Sequence, residues 1–301
     1  MNTVIKELDT NRLVRFIKNY KWKFLTNLHL NNSKINRILR PVNDLEIGEL
    51  NVEISNLSLS ESDYRNFVNS DVLSKYNKLD YIHTKPLEYL TTLSLLDLKE
   101  GYKILDAAGG EKAEYIKAVI AVSDFNLIPY CQDSLLDGES RDGIKYIGGS
   151  IDAIPLPDNS LDGISCHHSF EHFRDDLDIK FIKEAVRLLG VGKKLVIAPL
   201  FLANEYAEIW NNKQIEKYDI ETATTIFDNT ATFPGWGPYE GFARTYSPAA
   251  FKKRIIDNLP SNCQAKVYRV IVDGKPVPDL KKNSHQPLVN GEMKALVIVK
   301  T

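Results

Sequence analysis

The sequence predicts an α/β fold: a seven-stranded, mostly parallel sheet closed by an antiparallel C-terminal hairpin, with an N-terminal helical extension. Three observations predict it. From Lys103 onward, short apolar runs alternate with stretches of helical periodicity, the pattern of strands joined by crossover helices. Two apolar runs near the end, AKVYRVIVD and KALVIVK, have nothing helical between them and should pair antiparallel. Before residue 86 helical patterning prevails, with no strand rhythm strong enough to seed a sheet.

The elements follow in order. Residues 1–85 read as a helical extension or lid, with Ser60 and Ser62 as candidate caps before a helix over Tyr64 to Tyr76. PLEYLTTLSLLDLKEG starts on Pro86, suited to a first helical turn, and ends at Gly101. Lys103–Ala107 is the first strand and Glu111–Val122 the first crossover helix. NLIPYCQD, IKYIGGS and LDGISC supply strands two to four, a helix through DIKFIKEAVRLLG closes on Gly190, and KKLVIAPL is strand five. Residues of about 201–247 read as a long irregular insertion, followed by a helix near Pro248–Asn258. The main domain is thus expected to span residues 86–301.

Composition narrows the function. The chain has 301 residues, 43% of them hydrophobic, enough for a sizeable core. Its net charge of -2 gives no positive field to draw in nucleic acid. Cys131, Cys166 and Cys263 are too far apart for a C-x-x-C pair and too few for a disulfide framework, so a reducing, cytoplasmic setting is expected. The first residues lack the uninterrupted apolar core of a signal peptide, and no window is apolar enough to span a bilayer. Ile5, Leu8, Leu13, Phe16, Ile17, Tyr20 and Phe24 approximate helical spacing with Lys and Arg between them. A helix packing on its own domain is preferred over peripheral membrane contact.

Two strings carry chemistry. ILDAAGGEK reads as a buried strand ending in an acid, a glycine turn and the charged start of a helix. With only Gly109 and Gly110 it falls short of the G-x-G-x-x-G fingerprint, so taken alone it is also an ordinary strand-to-helix turn. CHHSFEH, Cys166 to His172, offers three histidines able to take a proton near neutral pH. His168 and His172 have the i, i+4 spacing of a zinc helix, but Glu171 is misplaced for H-E-x-x-H and no distant ligand cluster is evident, so no metal is expected.

YIGGSIDAIPLPDNSLDGISCHHSFEHF and EAVRLLGVGKKLVIAPL resemble segments of the small-molecule branch of class I S-adenosylmethionine-dependent methyltransferases, as does the succession of strands. The resemblance covers about residues 86 to 200 well and the final hairpin loosely. It implies a Rossmann-like sheet that binds S-adenosylmethionine beyond the carboxyl ends of the strands. Ala108, Gly109 and Gly110 would let the backbone approach the methionine and ribose, with Asp106 orienting the loop. Asp133 would accept both ribose hydroxyls, with Asp124 as its rival. Asp152 would take the adenine amino group, Ala153 a backbone contact and Ile154 an apolar wall. Where relatives read D-x-G-x-G-x-G, this chain has Ala108, Gly109, Gly110 and Glu111.

His168 is expected as the base, His172 as the family's histidine after strand four, and His167 as a further catalytic or cofactor contact. Trp236, Tyr239, Arg244 and Tyr246 in the insertion would recognise the acceptor by stacking and by an arginine fork. Histidines point to an oxygen acceptor, and the aromatic lid suggests O-methylation of a small polar molecule such as a sugar or glycan terminus. The alternatives are a lipid or quinone-like ring, a non-catalytic binding scaffold and a nicotinamide-using dehydrogenase.

Overall fold

The computed structural model of the chain describes residues 52–136, 138–210, 223–227, 242–277 and 292–301, together with 42, 47, 48 and 50. The amphipathic stretch from Ile5 to Phe24, and with it Trp236 and Tyr239, lies outside the described residues.

The strands in chain order are β1 (Glu53–Leu59), β2 (Lys103–Ala107), β3 (Ile128–Gln132), β4 (Ser140–Arg141), β5 (Ile144–Ile147), β6 (Leu161–His167) and β7 (Leu189–Ala198). They continue with β8 (Ala207–Trp210), β9 (Thr224–Phe227), β10 (Phe242–Thr245), β11 (Cys263–Val272), β12 (Lys275–Pro276) and β13 (Lys294–Lys300). The large sheet runs β1-β11-β13-β7-β6-β2-β3-β5-β4, with β12 beside β11. Strands β7, β6, β2, β3 and β5 are parallel; β13 lies antiparallel between β7 and β11, as the sequence predicts for the last pair. Chain order reverses between β2 and β6, so the loops after these strands open the crevice where ligands of such sheets sit.

Alternating side chains explain why both faces are covered. Ile104 and Val196 join one core with the helices α1 (Glu61–Val68), α2 (Thr84–Leu96) and α3 (Glu114–Val122). Their neighbours Leu105, Leu195 and Ile197 join the other, with α4 (Leu177–Leu188) and α5 (Pro248–Arg254).

Two sequence expectations are corrected here. The segment 1–85 is not simply a helical extension: β1 pairs parallel with β11, Glu53 opposite Lys266 through Leu59 opposite Val272. Ser55, Asn56 and Ser58 break its apolar rhythm, and an edge strand needs only a half-buried face, so the signal is faint. The insertion, expected to be irregular, contributes a second, three-stranded sheet in the order β10-β8-β9. Boundaries also move. Ser60 caps α1 through a capping box with Asp63, and the helix ends at Val68 rather than reaching Tyr76. Helix α2 stops at Leu96, where Asp97 turns left-handed, ahead of Gly101.

Candidate active site

The turn after β2 is held by its neighbours on both sides. Gly109 N–H donates to the Gln132 carbonyl (3.0 Å), Ala108 N–H to Gln132 Oε1 (3.2 Å) and Gly110 N–H to Asp133 Oδ2 (3.2 Å), which fixes the turn on the end of β3. Gln132 then donates through Nε2 to the Gly149 carbonyl (2.7 Å), reaching the loop after β5. Ser169 Oγ donates to the Ala108 carbonyl (3.2 Å), reaching the loop after β6. Four strand ends are therefore stitched into one edge by named hydrogen bonds.

The turn needs its glycines for two different reasons. At Gly110, φ is +69°, a backbone region that side chains disfavour. At Gly109 the limit is space: an added Cβ would sit 2.5 Å from Asp106 Oδ2 and 2.8 Å from Cys131 Sγ. Ala108, at φ 55°, carries the same left-handed strain without glycine's freedom.

Asp133 stands half-buried just past β3, and its other oxygen accepts from Leu135 N–H (3.2 Å). Each carboxylate oxygen retains a second lone pair, so acceptance of further hydroxyls is chemically open. Asp124 lies in the turn between α3 and β3, at the opposite edge of the sheet. Asp152 follows β5, where Ser150 Oγ donates to it, and Ala153 N–H donates to the Ser150 carbonyl (3.2 Å). Ile154 is buried, its N–H donating to Glu184 Oε1 (2.7 Å).

The histidines separate into distinct roles. His167 is buried at the end of β6, with Nδ1 3.1 Å from Asp106 Oδ1 and Nε2 2.9 Å from Thr92 Oγ1. Its ring packs against Tyr115 and Tyr89, at centroid distances of 4.3 Å and 5.0 Å. Both ring nitrogens are engaged, so the expectation of His167 as a catalytic group is corrected: its geometry is that of an interior link from β2 to α2. His168 takes a left-handed backbone (φ 47°) and brings Nδ1 to 3.0 Å from Glu88 Oε2, with its ring facing Phe201. His172 closes a short 3-10 turn over 170–172, its Nε2 3.6 Å from Glu171 Oε1. That turn breaks the α-helical spacing a zinc pair would require, and no metal-holding group of three or more His, Cys, Asp or Glu occurs among the described residues.

Glu88 was missed by the sequence reading. It lies on α2, 1% exposed, and burial raises its carboxyl above the usual range while His168 opposes that rise. The available signal was the helical row Glu88, Thr91, Thr92, Leu95, which places one acid on the buried side of an otherwise uncharged face. Glu171 is likewise buried, and its Oε2 has no hydrogen-bond partner among the described residues.

The insertion residues are corrected as well. Arg244 and Tyr246 are fully buried and bound to Asp178: Arg244 Nη1 at 3.0 Å and the Tyr246 hydroxyl at 2.7 Å. An arginine fork spent on an internal carboxylate does not clamp an acceptor. From Ala243 to Phe251 the segment expected to form a lid turns its hydrophobic and ion-paired side chains inward.

Comparison with known proteins gives the site a context. A family model described as a methyltransferase domain matches residues 108–197. A demethylmenaquinone methyltransferase of Corynebacterium glutamicum is 28% identical over 107 residues, covering 36% of this chain and 45% of the relative. A ubiquinone/menaquinone biosynthesis C-methyltransferase UbiE of Hahella chejuensis is 23% identical over 168 residues, covering 52% of this chain and 64% of the relative. The chain thus spans less than two thirds of the length of these relatives. Among solved structures, a SAM-dependent methyltransferase from Aquifex aeolicus aligns with 20% identity and a TM-score of 0.30, covering 50% of this chain and 80% of the other.

Proposed function

Residues 108–197 match a methyltransferase domain, and from that premise we propose that the chain is a class I S-adenosylmethionine-dependent methyltransferase that methylates a small acceptor bearing an acidic hydroxyl, a quinol-like ring in the first instance. The observation that carries this reading is the stitched edge: one glycine turn bonded to the ends of β3, β5 and β6 at the switch point of the sheet.

The residues fit the expected cofactor. A carboxylate-rich edge, with Asp106, Asp133 and the unpartnered oxygen of Glu171, suits a ligand carrying ammonium and sulfonium charges. When bound, that cofactor supplies an activated methyl group. The turn of Ala108 to Gly110 would admit its amino-acid portion, Asp133 its hydroxyls, and Asp152 with Ala153 and Ile154 its base. His168 would take the hydroxyl proton of the acceptor as the methyl group moves. On a dihydroxy ring the same deprotonation raises nucleophilicity at oxygen and at the adjacent carbon, so one base serves either product. The quinol reading is favoured over a sugar because the arginine fork expected to clamp a polar acceptor is committed to Asp178. The quinone methylations for which the relatives are named lean the same way.

The test uses the full chain. S-adenosylhomocysteine at about 100 times its dissociation constant should stabilise it by ~2.7 kcal/mol, and NADH should give no comparable shift. A labelled methyl donor should then mark a demethylated quinol and leave saccharides unlabelled. His168→Ala should slow that transfer by roughly 10²–10⁴-fold with S-adenosylhomocysteine binding retained. No stabilisation by S-adenosylhomocysteine would overturn the reading.

A further inference from the structure

The base assignment leaves one group without a purpose, namely a carboxylate driven into the interior beside it. Glu88 projects from α2, 1% exposed, and its Oε2 lies 3.0 Å from His168 Nδ1, an ion-pair distance without hydrogen-bond alignment between the two atoms. Burying a carboxylate is costly unless something compensates it. On the other side of the contact, His168 accepts a left-handed backbone at φ 47°, a conformation that disfavours a bulky side chain and persists only where surroundings impose it. A buried acid and a strained histidine thus meet at the end of β6, next to the glycine turn.

We propose that Glu88 is a positioning residue for His168: as a carboxylate 3.0 Å away it favours the proton on Nδ1 and so holds the basic lone pair on Nε2. This rests on the reading of His168 as the proton acceptor. An ionised carboxylate carries no donor and its charge repels a lone pair at this distance, so its approach favours the proton on Nδ1. The same contact with a protonated Glu88 would reverse the tautomer and put the proton on Nε2, where it could not act as a base. The charged neighbours do not obscure the pair. Glu171 and His167 lie close enough to Glu88 to bias its charge, the first raising its pKa and the second lowering it. Asp106 is already engaged by Ser165 and His167. Phe201 presents an apolar edge to the His168 ring. Helix α2, which the sequence marks only by its apolar rhythm, would then contribute twice to the site, holding His167 through Thr92 and setting His168 through Glu88.

The test is nitrogen-15 and carbon-13 NMR of histidine-labelled full-length protein across pH, with His168→Gln identifying the His168 signals and calorimetry with S-adenosylhomocysteine run on the same samples. In the wild type, neutral His168 should carry its proton on Nδ1. In Glu88→Gln its pKa should fall by ~1 unit or more, the scale expected on removing an opposite charge within contact distance, while S-adenosylhomocysteine binding is unchanged. A wild-type ring protonated on Nε2, or an unmoved pKa in Glu88→Gln, overturns the proposal. Because the wild-type tautomer is read without the Glu88→Gln variant, a Glu88→Gln protein that failed to fold would still leave the question decided. Loss of cofactor binding in the wild type would instead overturn the methyltransferase reading, leaving the tautomer to decide the pair on its own.

Discussion

Two buried carboxylates, on helices that cover opposite faces of the large sheet, are treated in opposite ways. Asp178, at the start of α4, accepts from Arg244 Nη1 (3.0 Å), Arg254 Nε (3.0 Å), Arg254 Nη2 (2.6 Å) and the Tyr246 hydroxyl (2.7 Å). Glu88, equally buried, meets one imidazole. The first carboxylate is saturated with donors of fixed charge, which locks α4, β10 and α5 together and has no capacity left for chemistry. The second is paired with a group whose charge can change. A buried acid surrounded by guanidinium groups holds a fold, whereas one beside a lone histidine can report on or take part in proton movement.

The sharpest way to break this contrast is Asp178→Ala. It would strand Arg244 and Arg254 in the interior without their shared carboxylate, the nearby acids among the described residues then being Glu208, 3.6 Å from Arg244, and Asp176, 3.7 Å from Arg254. Removing one partner of such a buried pair costs about 3–5 kcal/mol, read as a drop in urea midpoint at constant slope. A loss below ~1 kcal/mol would mean that the cluster is not the structural lock described here.

How much of this was legible depended on whether the signal was local. Lys103–Ala107 and Lys294–Lys300 were read at the observed boundaries because KILDA and KALVIVK are short, apolar and bounded. The length of the helix before β3 was enough to expect Asp133 rather than Asp124 at the carboxyl end of β3, and the fold places Asp124 before that strand and Asp133 just after it. Strand β1 escaped because polar residues at a sheet edge erase the alternation. Strands β8 to β10 escaped because a glycine- and proline-rich insertion hides short pairings made across a distance. The errors at Arg244 and His167 share a cause: the chemistry of a side chain can be read from its type, but whether an internal partner has already claimed it depends on residues far away in sequence, here Asp178 and Thr92. Glu88 was lost for the converse reason, since α2 was read through its apolar members.

Gly109→Ala sharpens the comparison from the cofactor side. Its new Cβ would press on Asp106 Oδ2 and Cys131 Sγ, and the backbone cannot easily withdraw because Gly109 N–H is bonded to the Gln132 carbonyl. The expected loss is ~1–3 kcal/mol of stability, with weaker S-adenosylhomocysteine binding by calorimetry. Gly110→Ala is the control: nothing lies within 4 Å of the added Cβ, so its cost is the backbone strain at φ +69° alone, about 1–2 kcal/mol, and Asp106 is untouched. Equal losses of affinity in the two variants would show that turn shape, rather than pressure on the Asp106 carboxylate, governs binding.

The smallest effect tests the unsaturated acid directly. The folded-state pKa of Glu88 is raised by burial above its ordinary value of 4.5, so the native state holds this proton more tightly than the unfolded chain does. Its contribution to stability is complete below the unfolded pKa and is lost as pH rises through the folded one. Glu88→Gln keeps the size and a hydrogen-bonding oxygen but cannot ionise. It should therefore match the wild type in acid, below about pH 4.5, and gain on it as pH rises, ending within about 1 kcal/mol at neutrality because the lost contact with His168 offsets part of the relief. Parallel stability curves for the two proteins from acid to neutral pH would show that burial of Glu88 is compensated as fully as that of Asp178, and the distinction between the two carboxylates would disappear.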